Sequence, residues 1–107
     1  MRTTIKKHSD FAMGDNSPTI KTNLFIVRCE TTKFPDNARY GLIATKRTFK
    51  LAVSRNRAKR LLRTWIRQNE SLLKPDYDYI FIARNTILKA APDDGFTNMK
   101  NALEQLQ

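Results

Sequence analysis

The sequence predicts a mixed fold of helices and strands, on three observations. Two stretches rich in β-branched and aromatic residues, "TNLFIVRCE" and "ARYGLIATKR", come first, and a third, "YDYIFIARN", comes later. Between them runs a segment of helical period, from Leu51 or Ser54 to Asn69. Strand, helix and strand within about 45 residues make a βαβ unit whose first and last strands share a sheet. With 107 residues and 40% apolar content, the chain fits one folded domain spanning residues 1–107.

Each element has its own signal. "IKKHSDFAMG" reads as a short opening helix with Ile5, Phe11 and Ala12 inward. The first two strands are joined through the Pro-containing loop "TTKFPDN", which suggests a hairpin. In the second strand Tyr40, Leu42, Ala44 and Lys46 alternate with Gly41, Ile43, Thr45 and Arg47, so both faces end in a cation. In the long helix Ala58, Leu61, Leu62, Trp65 and Ile66 gather on one arc, and Ser54 is a candidate cap. After the Pro92–Asp93 start signal, Phe96, Met99, Leu103 and Leu106 keep helical spacing in a closing helix.

Charge carries the functional signal. The net charge is +10, and from Asn37 to Asn69 there is no Asp or Glu. That stretch holds ten of the twenty basic residues, and elsewhere ten basic and ten acidic residues balance. The outer arc of the long helix carries Asn56, Arg60, Arg63 and Arg67, flanked by Lys59 and Arg57. A helix selected for stability alone would place acids in its first turn and at i+4 from its cations. Arg outnumbers Lys here, and its planar fork grips two phosphate oxygens at once.

Charge runs on helices are usually solvated faces, but 33 residues without an acid argue for a polyanionic partner. A membrane-surface helix would need for lipid the apolar arc that the strands need as cover, so no membrane partner is expected. The pairing that a major-groove DNA helix requires is missing from the pattern. RNA is therefore favoured over DNA. Phe25, Tyr40, Tyr79 and Phe81 could stack unpaired bases, although core packing is the better reading for each.

Few residues suit catalysis or metal binding. Cys29 is the sole cysteine and sits in an apolar run, which makes it a small buried hydrophobe and excludes an internal disulfide. His8 is the sole histidine and reads as a surface residue. Asp76, Asp78, Asp93 and Asp94 read as turn and helix-start residues rather than as a two-metal cluster. No catalytic or metal-ligating residue is expected in the protein. No export or membrane-spanning segment is apparent, and a cytoplasmic setting is expected.

"GLIATKR", then "AVSRNRAKRLLR", then "DYIFIAR" resemble the protein subunit of bacterial ribonuclease P. That family carries a glycine-led strand ending in two cations, an Arg-Asn-Arg-x-Lys-Arg-x-x-Arg helix, and an aspartate-aromatic strand ending in Ala-Arg or Ala-Lys. The resemblance implies an α+β two-layer sandwich of order α-β-β-β-α-β-α, like domain 2 of ribosomal protein S5, with a left-handed βαβ crossover at the basic helix. Residues 21 to 47 would then supply three strands, one more than the pattern alone gives.

The same resemblance implies the function. A large catalytic RNA removes the 5′ leader of precursor tRNA with magnesium held mainly by that RNA, and one protein per RNA assists. Arg55, Asn56, Arg57, Lys59, Arg60, Arg63 and Arg67, with Lys46 and Arg47 beside them, would contact catalytic RNA or leader, and Phe11 would line the leader cleft. Asp15 stands where the family carries a second aromatic, which implies a shortened first helix. Two other classes remain open: a basic RNA-binding protein with no enzyme attached, such as a ribosomal or assembly protein, and a nuclease acting alone.

Overall fold

The computed structural model describes residues 3–4, 18–31, 39–74 and 77–106. In chain order these form β1 (Thr3–Thr4), β2 (Thr19–Lys21), β3 (Phe25–Thr31), β4 (Arg39–Ile43), α1 (Ala52–Gln68), β5 (Tyr77–Ala83) and α2 (Pro92–Gln105). Single 3₁₀ turns lie at Glu70–Leu72 and Asn85–Lys89. The expected opening helix, with His8, Phe11 and Asp15, lies outside the described residues.

The fold is α+β, with a mixed sheet of order β1-β4-β5-β3-β2. β4 and β5 run parallel, while β3 is antiparallel to both β5 and β2. β1 adds a two-residue parallel pairing to β4. The βαβ unit expected from the sequence is therefore present as β4-α1-β5.

The expected hairpin between β3 and β4 does not form, because β5 lies between them. The burial of β5 explains its place. Tyr79, Ile80 and Phe81 are all buried although they alternate between faces, and a strand apolar on both faces belongs in the centre of a sheet. β3 instead makes its hairpin with β2, the strand that the sequence pattern missed. Thr22 shapes that turn: its Oγ1 accepts from the backbone N–H groups of Leu24 (3.2 Å) and Phe25 (3.0 Å) and donates to the carbonyl of Phe25 (2.9 Å). Three strands thus precede α1 between residues 19 and 43.

The second expected strand also stops early, at Ile43 instead of Arg47. Hydroxyl chemistry turns the chain there. Thr45 Oγ1 accepts from the Thr48 N–H at 3.2 Å, and the Thr45 carbonyl accepts from the Phe49 N–H at 2.8 Å. Lys46 and Arg47 therefore sit in an exposed turn rather than on two strand faces. Asp78, expected in a turn, is the second residue of β5 and is buried.

One contiguous core joins sheet and helices. Phe25, Val27 and Cys29 of β3, Leu42 of β4, and Tyr79, Phe81 and Ala83 of β5 form the covered sheet face. Phe81 meets Phe25 edge-on at 6.1 Å and stacks against Tyr79 at 6.2 Å between ring centroids. These aromatics are core, not a stacking surface, and Tyr40 packs half-buried beside them. α1 lays Ala58, Leu62, Trp65 and Ile66 on this face, with Leu61 half-buried at its margin.

α2 completes the cover with Met99, Ala102 and Leu103. Phe96, expected inward, is partly exposed, and Leu106 is half-buried. Gly95 takes the inward position at that turn. A Cβ there would overlap the Trp65 indole. Glycine inside a helix costs about 1 kcal/mol relative to alanine, so close approach of the two helices explains its presence. Asn69, buried at the C-terminal end of α1, secures the same junction: its Nδ2 donates to the Trp65 carbonyl at 3.0 Å and to the Phe96 carbonyl at 3.4 Å.

The Gly95 contact yields a test. Gly95→Ala should destabilise the protein by about 1–3 kcal/mol, the usual cost of overpacking, despite the better helix propensity of alanine. Thermal unfolding followed by the fluorescence of the single tryptophan, Trp65, checks it. Unchanged stability with unchanged emission would show that the helices do not meet this closely.

Cys29 yields another. Burial raises its thiol pKa, and the positive charge of Lys74 partly opposes the rise. Between the unfolded and folded pKa values, only the unfolded chain has lost the proton. The stabilising effect is complete below the unfolded value and is lost as pH rises through the folded one. Urea unfolding across alkaline pH should show stability falling more steeply for wild type than for Cys29→Ala, and identical slopes would contradict the burial of the thiol.

Candidate nucleic-acid interface

The candidate interface begins with how α1 is held. Its inner arc is fixed by the core, so the remaining azimuths must face outward. Asn56, Arg57, Arg60, Arg63 and Arg67 are exposed, and Lys59 is half-buried beside them. Arg57, Arg60, Arg63 and Arg67 follow one another at spacings of three and four residues, which aligns them along the helix over about 15 Å. Val53, Asn56, Arg57, Lys59, Arg60 and Arg63 together line a shallow depression of ≈ 390 Å³.

The start of α1 is built without the usual stabilisers. Leu51 is the N-cap and makes no side-chain capping bond, and the first turn has no acid. Ser54, the expected cap, lies inside that first turn. The positive end of the helix dipole therefore adds to the field of the cations instead of being neutralised. An anion approaching this end meets no acid belonging to the helix itself.

Most of the expected RNA contacts are brought together. Asn56, Arg57, Lys59, Arg60, Arg63 and Arg67 share the outer side of α1, and Lys46 and Arg47 lie in the exposed turn leading into it. Arg55 departs from this group. Three and seven residues before Ala58 and Leu62, it falls on the inner azimuth, and its Nη1 donates to the backbone carbonyls of Phe49 (2.9 Å) and Lys50 (3.2 Å). Phe11 lies outside the described residues.

Two features went unnoticed in the sequence. Leu51 and Val53 are large apolar side chains left 65% and 71% exposed, which places hydrophobic surface beside the cations. Val53 could have been found from the helical period, because it is seven residues before Arg60 and so shares its azimuth. Phe49, buried at the end of the turn, anchors that segment in the core. Its signal was weak: a lone aromatic between two cations resembles neither strand nor helix.

Among the described residues, no group of three or more His, Cys, Asp and Glu could hold a metal ion. No helix among them is long and apolar enough to cross a membrane.

The comparisons with known proteins agree with one another. The family model described as Ribonuclease P matches residues 2–107. The "Ribonuclease P protein component" of Shouchella clausii is 35% identical over 103 residues, covering 95% of this chain and 80% of the relative. The protein of the same description from Bacillus velezensis is 35% identical over 106 residues, covering 98% of this chain and 86% of the relative. Among solved structures, the Staphylococcus aureus RNase P protein superposes with a TM-score of 0.81 at 24% identity, covering 100% of this chain and 97% of that one. A sequence match along nearly the whole chain, joined to a shared fold, establishes that this chain belongs to the family of bacterial ribonuclease P protein components.

Proposed function

We propose that this chain acts as one RNA-binding domain that docks on the catalytic RNA of ribonuclease P and assists the magnesium-dependent removal of the 5′ leader from precursor tRNA. The observation that carries the reading is the outward row of cations on α1, with no acid anywhere in the helix to neutralise it. Family membership supplies the identity of the polyanion. Arg57, Lys59, Arg60, Arg63 and Arg67 serve as phosphate contacts, with Asn56 hydrogen-bonding among them and Lys46 and Arg47 extending the surface. Phe11 is assigned to the leader cleft, and the crossover at α1 is taken as left-handed.

The physical role follows from counterion competition. Folding an RNA and holding a second RNA against it concentrates phosphates, which repel unless cations intervene. Guanidinium groups fixed on a rigid helix replace part of the ion atmosphere and release it. The RNA then needs less free magnesium to reach its active arrangement. Magnesium and the bond-breaking chemistry belong to the RNA, one protein serves each RNA, and the complex works in the cytoplasm. No hydrolytic step is assigned to the protein.

The primary test is cleavage of a precursor tRNA by bacterial ribonuclease P RNA at low magnesium, with and without the protein. The expected result is restored release of the 5′ leader with the protein present, and none with the protein alone. Binding without any stimulation, even with RNA from the same source, would favour a basic RNA-binding protein outside this enzyme. Cleavage by RNA-free protein would point instead to a nuclease acting alone.

Two further measurements check the interface. If about six cations meet phosphates, the plot of log K against log salt should have a slope of roughly −4 to −5. Arg60→Ala should flatten that slope by about one and weaken binding by about 1.5–3 kcal/mol, with the circular dichroism unchanged and the melting temperature not lowered. A slope near zero for wild type would refute the electrostatic reading.

A further inference from the structure

Arg55 is the one cation of α1 whose side chain has a described occupation within the protein. It is half-buried, points along the inner azimuth, and donates from one nitrogen to two successive carbonyls, those of Phe49 and Lys50. At this point in a helix a cation is poorly placed, since it adds to the positive end of the dipole. The two carbonyls offset that cost with their own partial negative charge. They also belong to the segment that needs fixing.

Residues 45–50 join β4 to α1 and contain no regular element. Three devices hold this segment. Thr45 closes the turn, accepting at Oγ1 from the Thr48 N–H and donating from it to Thr48 Oγ1 at 3.0 Å. The Phe49 side chain is buried in the core. Arg55 then ties the Phe49 and Lys50 carbonyls back to the first turns of α1. The exposed cations Lys46, Arg47 and Lys50 sit on this braced segment.

We infer that Arg55 is a positioning residue: it braces the 45–50 turn against α1, so that Lys46, Arg47 and Lys50 present their charges to the same RNA as the outer row of the helix. The inference rests on the proposed RNA-binding function. It removes Arg55 from the set of direct phosphate contacts and gives it a larger effect than one contact, because its loss disperses three other cations. A flexible cation binds phosphate less well than a fixed one, since ordering the loop must then be offset at binding.

The test compares wild type with Arg55→Lys, Arg55→Met and the pair Lys46→Ala with Arg47→Ala, the pair made alone and in the Arg55→Lys background. Lysine keeps the charge but lacks the planar fork. Binding of ribonuclease P RNA is measured across salt concentrations, and amide hydrogen exchange of Thr48 and Phe49 is measured in the free protein. Bracing predicts that Arg55→Lys flattens the salt slope nearly as much as Arg55→Met, by about two rather than about one. It also predicts exchange of the two amides faster by about fivefold or more. The Lys46 and Arg47 substitutions should cost less in the Arg55→Lys background than in wild type.

A wild-type salt slope for Arg55→Lys, full additivity with the Lys46 and Arg47 pair, or unchanged amide exchange would overturn the inference. Failure of wild type to bind ribonuclease P RNA would defeat the functional reading instead, and the exchange measurement would still decide whether Arg55 braces the turn. Loss of fold by the Met variant would leave the charge-conserving Lys variant to carry the comparison.

Discussion

The burial of one side of α1 is the condition on which the rest of the molecule depends. Five like-charged pairs at spacings of three or four residues lie along this helix: Arg55 with Lys59, Arg57 with Arg60, Lys59 with Arg63, Arg60 with Arg63, and Arg63 with Arg67. At about 0.2–0.5 kcal/mol each, their repulsion amounts to roughly 1–2.5 kcal/mol. Burying a large apolar side chain contributes about 1.5–3 kcal/mol, and α1 inserts Leu62, Trp65 and Ile66 fully into the core. The apolar side outweighs the charged side. The helix can therefore do without acids of its own among its cations, which leaves its outer row suited to a polyanion.

Trp65 shows how closely that balance is built. The indole touches the backbone at Gly95, its own carbonyl accepts from Asn69, and Asn69 also reaches the Phe96 carbonyl on α2. Helix, turn and second helix are thereby locked in one arrangement. A rigid scaffold fixes the direction in which each guanidinium points, which reduces the ordering cost at binding.

Much of this was legible in the sequence. Five apolar residues at helical spacing and a run without acids defined both sides of α1, and β-branched and aromatic composition marked β3, β4 and β5. Pairing was not legible, because periodicity identifies a strand but not its neighbour. β3 and β4 are adjacent in sequence, yet each pairs with β5, and only the burial of both β5 faces reveals its central place. β2, three residues long, is too short for a pattern. β4 failed at its end because Thr45 and Thr48 supply side-chain hydrogen bonds that alternation does not register. Arg55 was grouped with the contact residues by its motif, although its spacing from Ala58 and Leu62 already placed it inward.

The position of β5 in the sheet bears on how the protein comes into being. Synthesis delivers β2, β3, β4 and α1 before the strand that joins β3 to β4, and the chain emerges at about 5–20 residues per second. Until Ala83 has been made, β3 and β4 have no shared partner and α1 has no complete surface to cover. A nascent chain at that stage is strongly basic and only partly paired, and it emerges beside the RNA of the ribosome that makes it. Late closure by a central strand therefore makes folding a race between the arrival of β5 and adventitious capture of the cationic segment. Only a 3₁₀ turn and α2 follow this keystone, so the shorter the path from β4 to β5, the briefer that exposure.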